Sequence, residues 1–158
     1  MLFPVIAGST ACEESTGPRP LPSGVDIDPV ASVFPVQQFN GRKTVTVSAV
    51  IRNDSDRTIY YAYCTQRISR RTAGVWVPFY HPVCAAILVP PEPILPGASK
   101  EFSLTAMEQL DGSGFPFTDS DAEYRLDVTL LIRSETSPSD RFYVIAPEKT
   151  VSGTFAIR

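Results

Sequence analysis

Four stretches of the chain alternate apolar and polar residues in period two. Val45, Val47, Ala49 and Ile51 alternate with Thr44, Thr46, Ser48, Val50 and Arg52. Phe102 and Leu104 alternate with Glu101, Ser103 and Thr105, and Tyr124, Leu126, Val128, Leu130 and Ile132 with Arg125, Asp127, Thr129, Leu131 and Arg133. Val151, Gly153, Phe155 and Ile157 alternate with Ser152, Thr154 and Ala156. Successive strand side chains point to opposite faces, so each stretch predicts a strand with one apolar and one wetter face. Shorter candidate strands are 58–64, 74–79, 84–89 and 141–146, and a single short helical or 3₁₀ piece is expected over 106–110.

Turn chemistry separates the runs. Asn53-Asp54-Ser55-Asp56 is a tight polar turn whose side chains can bond their own backbone. Leu95-Pro96-Gly97 precedes the strand at 99–105, and Asp111-Gly112-Ser113-Gly114 is a loop. The 15 prolines cluster between the strand candidates, as sheets require. About seven to nine short strands with regular turns imply an all-β, antiparallel sandwich.

The order of these landmarks carries a resemblance. An alternating strand ends in Asn53-Asp54-Ser55, an aromatic strand and the Gly74-Val75-Trp76 strand follow, then Leu95-Pro96-Gly97, and last Tyr124-Arg125-Leu126-Asp127-Val128. Over residues 40–133 this resembles the immunoglobulin-like domains of bacterial envelope lipoproteins. It is also similar to the intracellular proteinase inhibitor-like sandwich family of bacilli. Glu123 stands where that pattern has Gly before the Tyr, and a Cys64/Cys84 pair is foreign to the inhibitor family. The resemblance implies an immunoglobulin-like fold; inhibition does not follow from fold alone. By analogy with immunoglobulin cores, Trp76 is expected to plug the core.

Composition fits one globular domain with a tail. The chain has 158 residues, 43% hydrophobic and 20% charged, and a net charge of −3 gives no electrostatic footprint for nucleic acid. No segment reaches the roughly 20 apolar residues that span a bilayer.

The tail supplies an address. Val5-Ile6-Ala7-Gly8-Ser9-Thr10-Ala11-Cys12 is an apolar run, then small residues, then Cys. It resembles the lipobox of bacterial lipoproteins, in which the Cys becomes the lipid-bearing N-terminus. Ser9 replaces the usual Leu, Pro4 interrupts the apolar run, and no Lys or Arg precedes it, so the true start is expected upstream of Met1. The expected organisation is a signal-peptide remnant over 1–11, a Pro- and Gly-rich tether over 12–24 and the sandwich over 25–158. The resemblance implies lipid on Cys12 and a location in the cell envelope, periplasmic or surface-facing. Glu13 gives no signal for retention at the inner membrane. With Cys12 acylated, the two remaining thiols, Cys64 and Cys84, are expected to form a disulfide, which would contribute about 3 kcal/mol.

Candidate chemistry is sparse. His81 is the only His, no Gly-x-Ser-x-Gly elbow exists, and two Cys with one His do not complete a zinc site. Asp119-Ser120-Asp121-Ala122-Glu123 lacks the spacing of a calcium loop. Asn53-Asp54-Ser55 matches a glycosylation sequon, but the turn accounts for it. Arg67, Arg70 and Arg71 are expected on a hairpin tip, and one of the adjacent Tyr60 and Tyr61 must face away from the core. These point to a non-enzymatic binding or accessory protein without cofactor, with Tyr60, Arg67, Arg70 and Arg71 as partner-binding candidates. Its partners would be the membrane through Cys12 and an envelope protein or glycan. The alternative is an inhibitor-like module acting through an exposed loop.

Overall fold

A computed structural model describes residues 22–82, 89–109, 114–133, 142–145 and 150–158. The expected strand at 84–89, and Cys12 and Cys84, lie outside the described residues.

The chain forms an all-β sandwich. Its first layer is built on β4 (Arg42–Asn53), whose ten-residue antiparallel register with β9 (Ala98–Met107) runs from Thr44 opposite Met107 to Asn53 opposite Ala98. β1 (Val25–Pro29) and β3 (Gln37–Phe39) pair along the other side of β4. The alternation dictates the faces: Val45, Val47, Ala49 and Ile51 are buried with Leu104 and Phe102. Outward, Thr46 and Thr105 share a hydroxyl bond at 3.0 Å, and Ser48 and Ser103 one at 2.7 Å.

The second layer contains a strand that changes partners. The single alternating run at 124–133 is two strands, β10 (Tyr124–Asp127) and β11 (Leu130–Arg133). β10 lies between β6 (Arg67–Thr72) and β13 (Val151–Ile157), with β7 (Val75–Tyr80) outside β6 and β2 (Val33–Phe34) outside β13. β11 lies between β5 (Ile59–Tyr61) and β12 (Phe142–Val144), with β8 (Glu92–Ile94) outside β5. The described residues thus form 13 strands rather than seven to nine, because long runs divide and short strands at 25–39 and 92–94 join. The pairing is not purely antiparallel either, since β2 runs parallel to β13. Among the described residues 106–109 no helix forms; Ala106 and Met107 end β9.

The core aromatics differ from expectation. Tyr124 is fully buried and packs against Phe117 and Phe155, with ring centroids 5.4 and 6.2 Å away. Phe117 also meets Phe79, Tyr80 and Phe115. Trp76 does not plug the core. The two-residue turn Ala73-Gly74, both at positive φ, sets Trp76 opposite Arg71, and the ring lies half-buried beneath the Arg125 guanidinium, 4.8 Å from its centroid. Its neighbours Val75 and Val77, 63% and 45% exposed, extend past the cover of the first layer. Among the described strands β7 is the outer one of its sheet, and Pro78 sits in the middle of it, opposite Ser69. Proline is tolerated there because an edge can turn the missing N–H toward solvent.

The polar turn after β4 closes around Asn53, which is completely buried. Its Nδ2 donates to the carbonyls of Arg57 and Ile94, both at 2.8 Å, and its Oδ1 accepts the Ser55 hydroxyl at 2.5 Å. The sequon residue is therefore a structural fastener, with no amide left for a glycan. Just before β1, the Gly24 carbonyl accepts from the Asp54 N–H. A Cβ on Gly24, at φ +87, would stand 2.9 Å from the Asp54 carbonyl carbon, so the close approach requires glycine.

Candidate functional site

The strand that changes partners leaves a notch where the change occurs. Between Asp127 and Leu130 the chain leaves one pair of neighbours and joins another. Val128 N–H donates to the Thr150 carbonyl at 2.8 Å, and the Thr129 carbonyl accepts from Ala62 at 3.3 Å. The side chains around this break enclose a cavity of about 190 Å³. Its aliphatic side is Val128 and Ile145, its hydroxyls include those of Thr65 and Thr129, and its charged wall is Arg67 and Asp127.

Asp127 organises that wall. It is 7% exposed, on the outward face of β10. Its Oδ1 accepts from Arg125 Nε at 3.0 Å, and its Oδ2 accepts from Arg67 Nε at 3.0 Å and from the Ser69 hydroxyl. A carboxylate taken out of water needs such partners, and charge-assisted bonds are the strong ones available. Arg125 in turn lies over Trp76, so Trp76, Arg125, Asp127 and Arg67 form one connected outward strip across β7, β10 and β6. Arg71 pairs with Glu123 at 2.9 Å on the same face, and that guanidinium holds the Glu123 carboxyl below its ordinary range.

The candidate residues are thus placed differently from the sequence reading. Arg67, Arg70 and Arg71 lie along strand β6, not on the hairpin tip, which is Ala73-Gly74. Alternation sends Arg67 and Arg71 outward, while Arg70 turns to the other face and stacks 4.6 Å from the Phe79 ring centroid. The three cations therefore form no common patch. Tyr61 is the buried member of its pair, bonded to the Gln66 side chain, and burial, with Tyr63 and Glu92 nearby, pushes its phenol well above the ordinary range. Tyr60 faces outward and meets Phe142 edge-on at 4.9 Å. His81 is exposed after β7, and among the described residues no group of His, Cys, Asp and Glu is placed to hold a metal ion. Asp127, Arg125 and Ser69 were missed as site residues. The signal available was the charged pair Arg125 and Asp127 on the wet face of an otherwise apolar strand.

The fold and site define an all-β sandwich with a charged outer face and a small cleft at a strand break. No family model, no curated protein and no solved structure matches the chain.

Proposed function

We propose that the chain is a lipid-anchored cell-envelope protein with a non-enzymatic binding or accessory role, presented by an immunoglobulin-like sandwich. The observation that carries the reading is the apolar and small-residue run ending in Cys12, followed by a Pro-rich stretch up to the domain. The first strand begins at Val25, and the Gly24 carbonyl before it is fastened to the Asp54 turn. The outward strip and the Tyr60–Phe142 pair are surfaces fit for contact rather than turnover. Expressed behind a basic leader, the chain should fractionate with membranes, and its intact mass should show loss of residues 1–11 and diacylglycerol on Cys12. Unchanged membrane fractionation of Cys12→Ser would end the anchoring proposal.

The Cys64–Cys84 disulfide belongs to the same proposal. What supports it is parity: with Cys12 acylated, two thiols remain to pair. Non-reducing mass spectrometry of envelope-isolated protein should show one linked peptide pair; two free thiols would refute it.

A further inference from the structure

We propose that the outward face of the sheet formed by β12, β11, β5 and β8 rests on the surface of a lipid bilayer. The inference names the partner of the anchored domain and rests on the anchoring reading above.

The outward faces of the sheets differ in kind. The first layer turns out paired hydroxyls and the Arg52–Asp28 ion pair. The sheet around β10 turns out the strip of Arg67, Asp127 and Arg125. The sheet around β11 turns out apolar groups. Register sets Leu131 opposite Tyr60 and Tyr60 opposite Pro93, so these residues share one face across three strands. Phe142 of β12 joins them through its edge-on contact with Tyr60 at 4.9 Å. Pro93 is exposed, Tyr60 and Leu131 are half-buried, and Phe142 is 38% exposed. Leu95 follows buried Ile94 and extends the row just past β8, at 59% exposure. Among the described residues of this face the charged one is Arg133, at the end of β11 opposite Phe142.

Where the chain leaves the domain decides what covers this face. The Gly24 carbonyl accepts from the Asp54 N–H, and the adjacent Asn53 side chain donates to the carbonyl of Ile94, the residue between Pro93 and Leu95. The chain toward Cys12 therefore departs beside one end of the apolar row. Residues 13–24 connect Cys12 to that point, and a chain of that length spans at most about 40 Å whatever path it takes. With lipid on Cys12, the near end of the row stays within that reach of a bilayer, and the contact becomes in effect intramolecular. A face too small to capture lipid from solution then suffices. Tyr60 suits it, because a tyrosine ring can enter the apolar boundary while its hydroxyl stays wet.

The test holds the full chain carrying Cys12→Ser on vesicles through an N-terminal hexahistidine tag. The vesicles contain phosphatidylethanolamine, phosphatidylglycerol and a nickel-chelating lipid, and the control is the same chain on a soluble nickel chelate. The tag stands in for the lipid, so a failed anchoring experiment and a failed contact are separate results. Hydroxyl-radical labelling read by mass spectrometry should fall at Leu95, Tyr60 and Phe142 on vesicles. Labelling of Val75 and Val77, exposed on β7, should stay as it is on the soluble chelate. Leu95→Glu, with an unchanged circular dichroism spectrum, should abolish the protection of Tyr60 and Phe142, and Val77→Glu should leave it intact. Equal labelling with and without lipid, equal protection of Val75 and Val77, or protection that survives Leu95→Glu would each overturn the proposal. So would the same protection in a lipid-free dimer, which would make the face an interface between two copies of the chain.

Discussion

Replacing Asn53 with Ala tests the fastener directly. The side chain donates two bonds and accepts two, from the Ser55 hydroxyl and N–H, all inside the fold. The partners do not suffer equally. The Ser55 hydroxyl also reaches the Arg57 carbonyl at 3.2 Å, so those two groups still satisfy each other after the change. The Ile94 carbonyl belongs to a residue only 3% exposed and loses its side-chain donor. One orphaned buried carbonyl costs about 1–3 kcal/mol, and the net loss of a second bond about 1 kcal/mol more. The expected destabilisation is therefore about 2–4 kcal/mol, or roughly 5–15 °C in melting temperature for a chain of this size. Asn53→Asp sharpens the argument, because it keeps the shape and sets an acceptor against two carbonyl oxygens. Its carboxyl would hold a proton more tightly folded than unfolded, so the variant should regain stability as pH falls toward the unfolded value near 4. Urea unfolding read by circular dichroism measures both. An Asn53→Ala midpoint within about 0.5 kcal/mol of the parent would refute the reasoning.

Other outcomes follow from burial. Trp76→Ala should cost about 1–2 kcal/mol, the loss of a half-exposed stack on Arg125, whereas Leu126→Ala, fully buried, should cost about 2–5 kcal/mol; the reverse ranking in urea would return Trp76 to the core. Tyr61, whose folded phenol is raised above its ordinary value of 10.0, contributes stability that is fully present below that pH and lost as pH rises beyond it. Tyr61→Phe should therefore flatten the fall of stability above about pH 10, and an identical alkaline profile would contradict the assignment.

Much of the sandwich was legible because burial on one side writes itself into the residue types. β4 and β9 show a buried residue at every second position along most of their length, and their faces follow at once. β6 was illegible as a strand for a physical reason. Its outward positions are Arg67, Ser69 and Arg71, held by charges on β10, and inward Arg70 is shielded by a ring, which leaves Ile68 as the single apolar residue. The break at Val128 was hidden for the opposite reason: apolar alternation continues unbroken from Tyr124 to Ile132 while the neighbours change, and a period-two pattern records burial, not partner identity. The cleft depends on that change of partners, so it could not be read from the sequence. Trp76 was misplaced by analogy, although the Ala73-Gly74 turn and the polar Arg71 opposite already set its face.

Pro78 has a consequence for life at high local concentration. An outer strand with Val75, Trp76, Val77 and Phe79 is a ready template on which a second chain, folded or nascent, could lay down its own backbone. One proline in the middle of that strand removes a donor and interrupts any incoming ladder before it lengthens. The same strand can thus keep its apolar and aromatic surface without seeding aggregates. Pro78→Val would restore the missing donor, leaving the fold in place and the solubility impaired.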